Sequence, residues 1–153
     1  DALASRAEVA RGTLYNYFPS KDALLGAILE PVLQRALRGV KPLRRRSARL
    51  AVEGMVELYL GLWRDHEHAL CIAFGPQGRL VAQVESLHTD YVTEVMGLFG
   101  RAARAGVLRT DDARASAMTF RLTVVPVLHT LAGLPGAEQR ARETLCAMLL
   151  RPV

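Results

Sequence analysis

Val9-Ala-Arg-Gly-Thr-Leu-Tyr-Asn-Tyr-Phe-Pro-Ser-Lys-Asp-Ala-Leu-Leu25, preceded by Asp1-Ala-Leu-Ala-Ser-Arg-Ala-Glu8, is the stretch that decides the fold. Asp1 is placed to cap a helix over 2–7, with Leu3 and Ala7 on one face. Glu8-Val9-Ala10 makes a turn pinned by Val9, and a second short helix follows at about 11–17. That helix puts Leu14 and Phe18 inward at i,i+4 and leaves Arg11, Thr13, Tyr15, Asn16 and Tyr17 outward. Pro19 ends it, because the residue before a proline is pushed out of helical geometry. Two short helices joined by a tight turn are the geometry that lays the second helix in the major groove of DNA.

Working outward, Ser20 reads as the cap of a longer helix, and Asp22 sits in its first turn, where the helix dipole favours an anion. Its apolar stripe is Leu24, Leu25, Ile28, Leu29, Val32, Leu33 and Leu37, with stop signals at Gly39 and Pro42. Pro31 lies inside the stripe and predicts a bend or a break. Further helices are expected at about 47–65, 67–75, 80–105, 111–132 and 137–150. Gly75-Pro76-Gln77-Gly78, Gly106 and Gly133-Leu-Pro-Gly136 separate the later ones. No strand run, repeat or low-complexity tract interrupts the pattern, so the chain reads as all-α. A boundary near residue 40 divides a helix-turn-helix region with its connecting helix, 1–40, from a C-terminal region, 41–153.

The helix at about 111–132 is unusual. From Leu122 it reads Leu-Thr-Val-Val-Pro-Val-Leu-His-Thr-Leu, apolar on nearly every side. Such a helix needs cover on both faces, and the last helix adds the stripe Ala141, Leu145, Met148 and Leu149. A second copy of the chain, packed on these last two helices, would supply the missing cover in a two-fold dimer. The competing expectation is a helix central to a monomer.

At 153 residues, half of them apolar and 23% charged, the chain has the composition of a globular domain with a sizeable core. Its net charge of +5 is unevenly placed. Residues 1–49 hold ten Lys or Arg against four Asp or Glu, whereas 50–153 hold ten against eleven. A basic segment on a near-neutral body is the electrostatic footprint of nucleic-acid binding. Cys71 and Cys146 have no metal or redox spacing, which fits a reducing cytosol. No uncharged run reaches the ~18 residues of a spanning helix, and a cytoplasmic location with no membrane contact is expected.

The quoted motif resembles the DNA-binding region of the tetracycline-repressor (TetR) family of bacterial transcription regulators. Thr13, Leu14, Tyr15, Tyr17, Phe18, Ser20, Lys21, Asp22, Leu24 and Leu25 carry the resemblance. It implies that 11–17 is the recognition helix of a double-stranded-DNA binder that reads a pseudo-palindromic operator. Thr13 and Tyr15 would meet base edges, thymine methyls or phosphates. Tyr17 and Lys21 would contact phosphate, and Gly12 would let the backbone approach the DNA. Arg11, at the exposed end of the helix, suits bidentate guanine contact, and Asn16 suits adenine. For Tyr15 and Tyr17 the competing expectation is packing against the second region. The family also has a further helix before this point, which the sequence as given lacks, so as it stands the chain is expected to bind DNA weakly or not at all.

The same resemblance implies a homodimeric repressor released by a small-molecule effector held in the second region. Met55, Tyr59, Trp63, Phe74, Leu87, His88, Tyr91, Phe120, Arg121 and Val125 combine apolar walls with a few polar handles and are the expected lining. Arg121, a cation within an apolar helix, either reaches solvent or meets an anion, which raises the expectation of an acidic effector. Arg44, Arg45, Arg46 and Arg49 are read as a solvated charge run in preference to a phosphate clamp. His66-Glu-His68-Ala-Leu-Cys71 is the one cluster with metal-like chemistry, but histidines at i,i+2 diverge on a helix, so no metal is assigned. No nucleophile elbow, phosphate loop or paired carboxylates appear, and neither an enzymatic activity nor a cofactor is expected. The rival to a regulator is a helical ligand-binding or interaction domain whose DNA function has been lost.

Overall fold

Ser20 stands in extended backbone (φ −148°, ψ 162°) and its hydroxyl accepts the Ala23 N–H at 3.0 Å, which starts the first long helix where the cap predicts it. The computed structural model describes residues 16–74 and 81–152. Among them are five α-helices: α1 Lys21–Val40, α2 Ala48–Phe74, α3 Glu85–Arg104, α4 Ala113–Leu131 and α5 Ala137–Leu149. The described residues contain no extended strand. An isolated antiparallel bridge joins Leu108 to Leu150, with the Arg109 N–H donating to the Leu149 carbonyl at 2.8 Å. The protein is all-α, as its patterning predicts.

Of the bend or break expected at Pro31, the break does not occur. Pro31 lies inside α1 on its solvent face, where its ring removes one backbone hydrogen bond. Burial of Leu29, Val32, Ala36, Leu37 and Val40 on the other face offsets that loss, so the helix runs on to Val40. A 3₁₀ turn over Lys41–Arg45, with Pro42 in its first turn, then redirects the chain. The two helices expected at 47–65 and 67–75 form one element, α2, interrupted at His66 (φ −142°, ψ 32°). The expected Gly75–Gly78 loop lies outside the described residues. Beyond it, a 3₁₀ turn at Ala82–Val84 leads into α3, and Gly106 (φ 66°) takes the left-handed conformation that ends this helical stretch. Asp112 sets the start of α4 by accepting the Arg114 and Ala115 N–H groups at 2.8 and 3.0 Å, one or two residues beyond the expected start.

The core forms where α2 meets its neighbours. Val52, Met55 and Val56 are fully buried, and Leu98, Phe99, Val124 and Leu145 close around them. Each such side chain contributes about 1.5–3 kcal/mol of hydrophobic stabilisation. Helix α1 lies across α2 and α3, while α4 and α5 form an antiparallel pair that rests on α2. Exposed ion pairs lace α5 to α2: Arg142 grips Glu57, and Arg64 meets Glu138 at 2.9 Å. These surface pairs contribute at most about 1 kcal/mol each, so apolar packing sets the arrangement.

Helix α4 is not covered all round. Ala117, Phe120, Val124, Val125 and Leu128 face inward, but Leu122 is 60% exposed and Met118 44%. Leu122, Pro126, Val127 and Leu131 line a shallow depression with Thr144 of α5.

Candidate functional site

Two features of the structure bear on function: the entry to α1 and a cavity behind it. At the entry, Asn16 and Tyr17 are helical and exposed, Phe18 is half-buried, and Pro19 and Ser20 carry the chain into α1. Tyr17 is 76% exposed, so the expectation that it packs against the second region is not met. Lys21 projects into solvent at the first turn of α1. Arg11, Gly12, Thr13 and Tyr15 lie outside the described residues, as do the first expected helix and all of the second before Asn16.

The cavity has a volume of about 660 Å³ and is enclosed by four helices. Helix α1 supplies Leu29, Val32, Leu33 and Ala36. Helix α2 adds Tyr59 and Leu62, and beyond its kink Leu70, Ala73 and Phe74. From α3 come His88, Tyr91, Val92, Val95 and Met96, and from α4 Arg114, Ala117, Met118, Phe120 and Arg121. A volume of this order suits a small organic molecule, with few polar groups to orient it.

Of the residues expected to line a pocket, Tyr59, Phe74, His88, Tyr91, Phe120 and Arg121 meet in this cavity. Met55, Trp63, Leu87 and Val125 do not. Met55 and Val125 are packed into the core, Leu87 packs on its edge, and Trp63 sits edge-on to His129 with ring centroids 6.2 Å apart. Helical spacing alone does not distinguish a residue that faces a neighbour from one that faces a void. The α1 contribution was missed because its stripe reads as ordinary core. Arg114 carried a legible signal, since it lies seven residues before Arg121 on the same face of α4.

The polar groups of the cavity are sharply divided. Deep in the wall, the Tyr59 and Tyr91 hydroxyls are hydrogen-bonded at 2.8 Å. Phe120 and Phe74 meet the Tyr59 ring edge-to-face, with centroids 5.1 and 6.0 Å away. Burial pushes the Tyr59 phenol up to about 12, and burial together with the neighbouring hydroxyl raises Tyr91 well above its ordinary value. Both stay neutral at physiological pH. Burial also lowers His88, assisted by the positive charge of Arg121, so its imidazole is neutral near pH 7. Arg121 and Arg114 are exposed at the rim. The field of Arg121 reaches inward, since it favours ionised Tyr59 as well as neutral His88.

Compared with known families, residues 1–28 match the model described as bacterial regulatory proteins, tetR family. No curated protein matches the chain. The matched segment ends at Ile28, one residue before Leu29 begins the cavity wall on the same helix.

Proposed function

We propose that the chain is a TetR-family DNA-binding transcriptional regulator, a repressor released by a small molecule held in the four-helix cavity, on the premise that residues 1–28 match that family's model. One observation carries this reading: α1 is a single helix that belongs to the family-matched segment over Lys21–Ile28 and walls the cavity over Leu29–Ala36. A ligand that favours a different setting of α1 against α2 and α3 moves the DNA-contacting segment with it. The leverage is rigid, because a continuous helix of this length spans about 25–30 Å without a joint. Release follows only from a difference in ligand affinity between the two settings.

The DNA contacts belong to the first region, 1–40, with Arg11, Gly12, Thr13, Tyr15, Asn16, Tyr17 and Lys21 as the contacting set. Ligand binding and dimerisation belong to 41–153, together with the α1 wall. The exposed apolar face of α4 and α5, with Leu122, Met148 and Pro126, supports a two-fold homodimer through the last two helices. Two recognition helices then sit about 34–36 Å apart in successive major grooves of a pseudo-palindrome, and repression follows by occluding the promoter. No described helix is long and apolar enough to cross a membrane. A cytoplasmic location and a role without catalytic activity belong to the same proposal.

Footprinting the full-length protein, with the family's further N-terminal helix present, on DNA upstream of its own coding sequence at two salt concentrations tests the reading. A protected, roughly palindromic site that weakens with salt is expected. Lys21→Gln should weaken specific and non-specific DNA alike and reduce the salt slope by about one. Absence of protection, together with no enrichment of any sequence from random DNA, overturns the assignment in favour of a ligand-binding domain without DNA function.

A further inference from the structure

The cavity wall is chemically one-sided. It contains two arginines, a neutral histidine and two neutral tyrosines, but no aspartate or glutamate. Among the described residues Arg35 pairs with Asp65, Arg64 with Glu138, Arg142 with Glu57 and Arg151 with Asp111, whereas Arg38, Arg45, Arg46, Arg104, Arg109 and Arg140 have no ion pair and lie away from the cavity wall. Arg114 and Arg121 have no ion pair among the described residues. They sit two helical turns apart on the face of α4 that forms the rim, with Ala117 and Met118 between them. Below the rim the surface is aliphatic, formed by Leu29, Val32, Leu33 and Ala36 on one side and Leu62 and Leu70 on another. The deepest polar groups, the Tyr59 and Tyr91 hydroxyls, already bond each other. The floor therefore accepts an apolar group without leaving a donor and an acceptor both unmatched.

From this geometry we propose that the cavity binds a single-headed amphipathic carboxylate, with its head between Arg114 and Arg121 at the rim and its apolar tail directed against α1. The inference rests on the ligand-controlled reading above and names the ligand class for that site. A carboxylate at the rim meets planar guanidinium donors suited to it, in a partly enclosed apolar setting where charge pairs are less screened than in bulk water. A cationic head meets two like charges and no counter-ion. An uncharged head leaves both guanidinium groups unused. The tail makes its contacts with Leu29–Ala36, the part of α1 that continues from the DNA-binding segment.

The test is direct titration of the purified protein, without DNA, with decanoate, decanol and decylammonium at neutral pH, followed by calorimetry. Decanoate should bind at least about tenfold more tightly than decanol, with decylammonium weakest. Arg121→Gln and Arg114→Gln are exposed changes that leave the core intact, and each should weaken decanoate about tenfold while leaving decanol unchanged. Val92→Trp, which narrows the opening from the exposed side of α3, should weaken all three. Equal affinity for the three probes, decanoate binding indifferent to both arginine variants, or no binding of any probe would each overturn the proposal. The footprint described above is read separately. A protein that binds decanoate but protects no DNA loses the regulator reading and keeps this one, and the converse result does the opposite.

Discussion

The hydroxyls of Tyr59 and Tyr91 lie 2.8 Å apart across 32 residues of chain, joining α2 to α3 beneath the cavity. Both side chains are buried, and among the described residues their hydrogen bond is the one polar side-chain link between these two helices. Removing one hydroxyl leaves the other buried without this partner. Tyr59→Phe or Tyr91→Phe alone should destabilise the protein by about 1–3 kcal/mol, whereas the double variant should recover much of that loss. Urea unfolding of the four proteins measures the coupling. Additive losses would show that the bond contributes nothing beyond two separate packing sites.

His88 makes stability pH-dependent in a defined direction. Its folded-state pKa is lowered, first by burial and then by Arg121, from an ordinary value of 6.5. The unfolded chain therefore binds a proton more readily than the folded one, so stability is fully present above 6.5 and falls as pH drops through that value. His88→Gln should flatten this limb of the stability profile. A profile unchanged by the substitution would assign the pH response to other groups. Protonation of His88 also adds positive charge to the cavity, so decanoate affinity should rise across the same limb in the wild type alone.

Leu122 is the most exposed aliphatic side chain of α4, at 60%. If a second copy covers it, Leu122→Asp should shift the protein from dimer to monomer in analytical ultracentrifugation, with helicity by circular dichroism unchanged. A variant that stays dimeric would place the interface on another face.

Two helical glycines make opposite predictions. A Cβ at Gly54 would lie 2.6 Å from Leu43 Cδ2, so alanine there requires the buried Leu43 side chain to shift. At Gly97 in α3 a Cβ meets nothing within 4 Å. Gly97→Ala should stabilise by up to about 1 kcal/mol through helix propensity, and Gly54→Ala should destabilise as Leu43 is displaced. Thermal melts of both variants decide whether space or propensity governs each site.

The local signals in the sequence carried far. Ser20, Asp112 and Gly106 mark helix ends because a cap or a left-handed turn depends on a few adjacent atoms. The family motif at residues 1–28 was legible for a related reason, since its residues are consecutive in the chain. Pro31 shows the limit: its local effect is real, but burial of one face of α1 outweighs it. His66 is a milder case, where a boundary between two expected helices becomes a kink within one.

What the sequence determined by itself is therefore the all-helical class, the order of the helices, the basic character of the first third and the family motif at its start. These rest on short-range capping, 3.6-residue periodicity and charge. Only the tertiary structure decided that Met55 and Val125 belong to the core, that Trp63 turns to His129, and that Tyr59 meets Tyr91. It also decided that Leu29–Ala36 face a cavity and that Arg114 joins Arg121 at its rim. Periodicity defines which side chains share a face of a helix. Whether that face meets another helix, solvent or an open space depends on how the other helices are placed, and that is set by packing across the whole chain.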